Sequence, residues 1–278
     1  MNHFKALTIA GSDTSGGAGM QADLKTFQEL GVYGMTALTC VVTMTPDRWS
    51  HAITMLDSQL LRKQLATILD GIGVDAMKTG MLGSPEVIEI AAQAIQAHDL
   101  KHVVIDPVMV CKGAEEELQP ELQPENTEAY RRLLLPQALV TTPNLYEAAK
   151  LAGTGWITSV DEMKEAAARI VDLGARYALV KGGARLQGTD KAIDVLYDGT
   201  TFELITEEKV DTPNIHGAGC TYAAAITAGL AQGKSVSEAV HTAKAFVTAG
   251  IHDSFSLNAF TGPTDHTAYK RQLNSPSQ

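Results

Sequence analysis

Short β-branched runs recur along this 278-residue chain, and most are followed by a longer segment whose apolar residues repeat at helical spacing. That alternation constrains the fold more than any other feature, because strands separated by helices pair in parallel through crossovers on the sheet faces. The pattern predicts strands at 5–10, 36–43, 75–79, 102–106, 138–142 and 177–181, and helices at 19–30, 58–70, 85–98, 125–135, 144–152 and 160–173. Ser84-Pro85-Glu86 supplies an N-cap followed by proline at the first helical position, and Ser159-Val160-Asp161-Glu162 reads as a capping box. Past 181 the pattern changes. Asp194-Val195-Leu196-Tyr197, the turn Asp198-Gly199 and Thr201-Phe202-Glu203-Leu204-Ile205 predict a hairpin that gives the sheet an antiparallel edge, and two Ala-rich helices are expected at 219–231 and 235–252.

The length allows two domains or one large α/β unit. No repeat, low-complexity tract or Ser/Pro linker divides the chain, so a single domain over 1–269 with a polar tail at 270–278 is expected. Aromatics at 5%, against 24 glycines, suit small aliphatic side chains packed closely between helices and sheet rather than a β-sandwich. A formal charge of -10 sets nucleic acid and anionic membranes aside as partners. The first ten residues reach Gly11 and Ser12 before any apolar run is long enough for a signal peptide, and no later apolar segment is long enough to span a bilayer. Three cysteines at unrelated spacings form neither a disulfide framework nor a zinc site. A cytoplasmic protein acting on a small molecule is expected, with a homodimer as its assembly.

Gly11-Ser12-Asp13-Thr14-Ser15-Gly16-Gly17-Ala18-Gly19 follows the first strand and leads into Met20-Gln21-Ala22-Asp23. Its G-x-G-x-x-A subset does not make a dinucleotide fold: the loop before Gly17 is too long for the tight first turn, and the second strand ends in Val42-Thr43-Met44 without a ribose-binding acid. A Walker A loop fails too, since Gly229 stands one residue too close to Gly233-Lys234-Ser235, where Ser235-Val236-Ser237-Glu238 caps the next helix. Asn214-Ile215-His216-Gly217-Ala218-Gly219-Cys220-Thr221 is more telling. Glycines at a helix start free backbone N–H groups, and the helix dipole adds positive potential, so Gly217, Ala218, Gly219 and Cys220 offer an anion site. A thiolate should be favoured at Cys220, making it a base or nucleophile, unless the residue is only a small buried hydrophobe. Thr221 is a ligand contact or a capping group.

Asp106, closing Val103-Val104-Ile105, and Glu147, one turn into the helix after Thr142-Pro143-Asn144, sit where parallel strands place their ligands. They suit Mg²⁺ held largely through water, or else helix capping and a surface ion pair. Lys181-Gly182-Gly183 brings a cation and close backbone to a nucleotide phosphate, or is a plain turn. The stretch 107–124, with Glu115-Glu116-Glu117, Pro120 and Pro124, lacks periodicity and is either a lid or a solvated acidic connection.

Together with Lys78-Thr79-Gly80-Met81-Leu82-Gly83, Asp106-Pro107-Val108-Met109-Val110 and Thr142-Pro143-Asn144-Leu145-Tyr146-Glu147, these motifs resemble, in order from 4 to 266, the hydroxymethylpyrimidine kinase branch of the ribokinase-like fold. The resemblance implies a three-layer α/β/α domain with a mainly parallel sheet, ATP and Mg²⁺, and phosphorylation of a hydroxymethyl group on a small heteroaromatic ring. By position it implies that Gly11, Ala18, Asp23, Met81 and Val108 face the substrate, and that Lys181, Gly183 and Thr221 face the nucleotide. It further assigns Asp106 and Glu147 to the metal, and Gly217, Ala218, Gly219 and Cys220 to the anion hole.

That branch typically carries Ala-Gln-Asn-Thr after the second strand, its Gln bonding an aminopyrimidine edge; here the stretch is Cys40-Val41-Val42-Thr43, and Val41 cannot make that bond. An unpaired pyrimidine amino group would cost about 1–3 kcal/mol. The lid reads Met109-Val110-Cys111-Lys112-Gly113, and His216 precedes the glycine loop. These departures resemble the two-cysteine pyridoxal kinases of the branch. That implies a hemithioacetal between Cys111 and the substrate aldehyde, an acid/base role for Cys220 at the 5′-hydroxymethyl, and His51 near the ring 3-hydroxyl. Read without the resemblance, His51 is a lone solvent-exposed loop histidine, and Cys40 is core. Pyridoxal 5′-kinase activity is expected. Hydroxymethylpyrimidine/phosphomethylpyrimidine kinase is the alternative enzyme, and a vitamin-binding protein without turnover is the alternative outside catalysis.

Overall fold

A computed structural model describes residues 3–109 and 124–274. In chain order the elements are β1 (Lys5–Asp13), α1 (Gly19–Glu29), β2 (Tyr33–Met44), β3 (His51–Met55), α2 (Ser58–Leu69), β4 (Ala76–Thr79), α3 (Pro85–Ala97), β5 (Val103–Ile105) and α4 (Pro124–Ala129). They continue with β6 (Val140–Thr141), α5 (Leu145–Ala152), α6 (Val160–Asp172), β7 (Tyr177–Lys181), β8 (Lys191–Tyr197), β9 (Phe202–Glu208), α7 (Ala218–Ala231), α8 (Val236–His252) and α9 (Ala268–Asn274). The strands form one sheet in the order β3-β2-β1-β4-β5-β6-β7-β8-β9. Pairing is parallel from β2 through β7 and antiparallel at β2–β3, β7–β8 and β8–β9.

Alternate strand residues enter different cores, as a sheet covered on both faces requires. Leu7, Ile9, Val103, Ile105, Ala178 and Val180 pack with α2, α3, α5 and α6, whereas Ala6, Val104 and Leu179 pack with α1, α7 and α8. The second layer is built from small residues: Ala6 and Ala76 of the strands share a cluster with Ala223, Ala224 and Ala225, so α7 approaches the sheet closely. The fold is therefore the expected three-layer α/β/α sandwich. Ser84 accepts from Val87 N with Pro85 at the helix start, and reciprocal capping boxes join Ser159 to Glu162 and Ser235 to Glu238, as the sequence signals.

Three expectations need correction. The second antiparallel edge, β3, was not anticipated, because most of its residues face solvent and only pairing of Met44 with His51 through Cys40 with Met55 holds it. His51 thus starts a strand rather than standing in an exposed loop. The helix expected at 125–135 is α-helical only to Ala129, then widens into a π-helical turn over Tyr130–Leu134 and tightens at Leu135–Gln137. Lys270 to Asn274, read as polar tail, belong to α9, where Arg271 pairs with Asp253 and Asp265. Most of the stretch 107–124, Cys111 included, lies outside the described residues. Among the described residues no helix is long and apolar enough to cross a membrane.

Candidate active site

The strand order reverses at β1, which has β2 on one side and β4 on the other, and such a switch opens a crevice at the carboxyl ends of the strands. A cavity of about 910 Å³ occupies the crevice and extends past the first turn of α7 to the β7–β8 edge. Gly217 enters α7 at a φ of +78, and a Cβ there would lie 1.8 Å from the Gly17 carbonyl oxygen. Only glycine lets the β1 loop and the α7 entry meet so closely. Gly217, Ala218, Gly219 and Cys220, the residues expected to form an anion site, all line the cavity.

At the β7 end, the Lys181 ammonium bonds Asp106 Oδ1 at 3.1 Å, and the Thr142 hydroxyl donates to the same oxygen at 2.9 Å. A Cβ on Gly219 would stand 3.7 Å from Lys181 Nζ, so this cation sits beside the first turn of α7. Burial pulls the Lys181 ammonium down, but Asp106 and Glu147 together raise its pKa above the ordinary value. Glu147 closes a capping box with Asn144, accepting from Asn144 N at 2.9 Å. Burial pushes its carboxyl up to about 7, with Lys181 opposing and Asp106 adding. Gly183 also lines this end.

At the β1–β4 end, Gly11, Ala18, Met81, Val108 and His51 line the wall as expected. Asp13 organises it: its carboxylate accepts from Ser15 N, Ser15 Oγ and Ala18 N, and from His216 Nε2 at 2.7 Å. Burial pushes the Asp13 carboxyl up, but His216 and Ser15 more than reverse this and bring it down to about 2. Burial, then the nearby charge of His216, holds the His51 imidazole below its usual range, with Asp13 opposing, and His51 Nδ1 has no hydrogen-bond partner.

Several site expectations fail. Asp23 does not face the cavity: it is fully buried, both its carboxylate oxygens accept from Lys78 Nζ at 2.9 Å, and Oδ2 also takes the Thr8 hydroxyl at 2.6 Å. Lys78 reaches the cavity in its place. Thr221 is also buried away from the cavity, its hydroxyl 3.0 Å from His266 Nε2. Cys220 is not a favoured thiolate. Burial pushes its thiol up to about 11; Lys78 and the Gly19 N–H pull it down, but Asp23 and Asp106 oppose them. Val41 misses the cavity wall because one extra residue in β2 shifts the register, so that Val42, not Val41, stands opposite Asp13.

Asp13, Lys78, Asp194 and Lys244 went without roles in the sequence, although a signal existed for two of them. Lys78 lies in the buried strand Ala76–Thr79 and Lys244 in an apolar stretch of α8, and buried charges demand partners.

The Phosphomethylpyrimidine kinase family model matches residues 13–265, a span that holds the β1 loop, Lys181 and the α7 entry. A pyridoxine kinase of Bacillus subtilis (strain 168) is 56% identical over 271 residues, 97% of this chain and 98% of its own. The structure of an ADP complex of Bacillus subtilis pyridoxal kinase superposes with a TM-score of 0.92 at 56% identity, covering 97% of this chain and 99% of that one. Staphylococcus aureus pyridoxal kinase in complex with AMP-PCP and pyridoxal gives a TM-score of 0.91 at 51% identity, over 98% of this chain and 96% of that one. With the crevice, its glycine-rich helix start and its buried lysine inside the matched span, the chain belongs to the phosphomethylpyrimidine kinase family.

Proposed function

We propose that the chain is an ATP-dependent pyridoxal kinase that phosphorylates the 5′-hydroxymethyl group of pyridoxal and related vitamers. The observation that carries this reading is the two-ended cavity: one wall of imidazoles, thioether and glycine at the β1–β4 switch, one wall of lysine and glycine at β7, and the first turn of α7 between them. Phosphoryl transfer asks mainly for positioning and charge neutralisation. Lys181 and the positive end of the α7 dipole at Gly217 to Cys220 supply positive potential where the phosphoryl group would pass.

The family implies Mg²⁺, and the residues fit it. Lys181 and Thr142 both bond Oδ1 of Asp106. Among the described residues no cluster of three His, Cys, Asp or Glu forms an all-protein site. Two carboxylates suit an ion that phosphates and water mainly coordinate. Asp106 and Glu147 would hold it, and its chemistry when bound is neutralisation of phosphate charge.

Cys220 enters as a thiol. A loose transition state keeps the acceptor's proton until bonding is advanced, so Cys220 is assigned to orienting the hydroxyl oxygen rather than to deprotonating it beforehand. Cys220→Ser should then keep more turnover than Cys220→Ala. The assignment of Cys111 to the aldehyde rests on the resemblance and on the ability of a thiol to add reversibly to an aldehyde. Cys111→Ala should weaken pyridoxal and spare pyridoxine, which has no aldehyde. The deciding experiment is ATP-dependent turnover on pyridoxal and hydroxymethylpyrimidine side by side; kcat/KM favouring pyridoxal supports the reading, and a higher value on the pyrimidine overturns it.

A further inference from the structure

A second buried ion pair lies at the β7–β8 edge of the cavity. Lys244 of α8 and Asp194 of β8 are both nearly excluded from solvent, and both line the cavity. Lys244 Nζ meets Asp194 Oδ2 at 2.7 Å and the Ala192 carbonyl oxygen at 2.8 Å. The other carboxylate oxygen of Asp194 accepts from Gly182 N at 3.1 Å. That N–H is shared with the Ile193 carbonyl, also at 3.1 Å, and the approach is so close that a Cβ on Gly182 would stand 2.3 Å from the same carbonyl oxygen.

Gly182 follows Lys181, whose own N–H is held by the Pro143 carbonyl at 2.9 Å. The backbone is thus fixed on both sides of Lys181, whose ammonium lies beside the first turn of α7. Asp194 supplies the later of these two fixings, but a bare carboxylate facing the cavity would repel polyphosphate. Lys244 cancels that charge from within the protein.

We infer that Asp194 and Lys244 act together as positioning residues for ATP: Asp194 locks the turn that aims Lys181, and Lys244 keeps the lock from repelling the nucleotide. This rests on the kinase reading, since it takes ATP as the ligand. Simple structural glue predicts that each single substitution strands a buried charge and lowers stability, while the ATP affinity of the folded protein stays unchanged in both. A charge-neutralised lock predicts opposite signs.

The test is calorimetric titration of the full chain with ATP, without pyridoxal, beside steady-state kinetics. Lys244→Met strands the Asp194 charge and should weaken ATP binding by about tenfold or more, leaving KM for pyridoxal within about twofold. Asp194→Asn retains a neutral acceptor for Gly182 N and exposes the cation, so ATP should bind as tightly as before or tighter. Combining the two should restore most of the ATP affinity lost in Lys244→Met. Unchanged ATP affinity in Lys244→Met, or a double variant no better than that single one, overturns the inference. If Lys244→Met does not fold, weakened ATP binding by Asp194→Asn overturns it alone. Wild-type protein that binds ATP but turns over no pyridoxal would sink the kinase reading while leaving this measurement intact.

Discussion

The two ends of the cavity are built by different means. At the β7 end, the parts that would meet phosphate come from short contiguous motifs, Gly217 to Cys220 and Lys181 to Gly183, and they use backbone N–H groups and one cation. At the β1–β4 end, the wall depends on side chains far apart in sequence: His216 Nε2 reaches Asp13 Oδ2, and Lys78 reaches Asp23. Backbone recognition of an anion is local and leaves a motif, whereas recognition of a ring needs a shape that only tertiary packing assembles.

The sharpest way to break this comparison is Lys181→Met. It removes the cation beside α7 and strands Asp106 and Glu147, so kcat should fall about 10²- to 10³-fold with little change in KM for pyridoxal. A loss confined to KM for pyridoxal would show that the two ends are not separate. Next is Asp23→Asn, which leaves the Lys78 ammonium buried without its counter-charge. Denaturant unfolding should show a loss of about 3–5 kcal/mol. If the only change is a higher KM for pyridoxal, then Asp23 faces the substrate after all.

Asp13→Asn should have a smaller effect that reads the linkage between the β1 loop and the α7 entry. Because the folded carboxyl titrates at about 2, below its ordinary value of 3.8, its contribution of about 2 kcal/mol is present above pH 4 and lost as pH falls toward 2. Acid unfolding of Asp13→Asn should lack that part of the pH dependence, and KM for pyridoxal should rise as His216 loses its partner. The smallest expected change comes from the β2 register: Val42→Gln should shift the ratio of kcat/KM toward hydroxymethylpyrimidine by more than Val41→Gln does. Equal effects would mean that the extra residue in β2 does not decide which side chain faces the ring.

Much of the site was legible as motif. The glycine-rich helix start, Lys181 and the line of residues Gly11, Ala18, Met81 and Val108 all reach the cavity. Asp23 was not, because a carboxylate on an amphipathic helix reads the same whether it points at a ligand or at a lysine of a neighbouring strand. Cys220 misled in another way. A thiol at a helix start is expected to lose its proton readily, but that rule omits burial, and here burial, with Asp23 and Asp106 adding, outweighs the pull of Lys78 and the Gly19 N–H.

The chain's periodicity by itself determined the layers, since strands of apolar residues separated by amphipathic helices have few other ways to bury both faces. Capping at Ser84, Ser159 and Ser235 was likewise local and readable. Only the tertiary structure decided β3, whose mostly solvent-facing residues carry no alternation, and the facing of Val42, which depends on one unpaired residue in β2. It also decided which charges neutralise one another: Asp23 with Lys78, Asp106 with Lys181 and Asp194 with Lys244 lie 55, 75 and 50 residues apart. Propensity and capping act over a few residues, whereas the cost of an unpaired buried charge is settled by whichever partner the completed fold brings within reach.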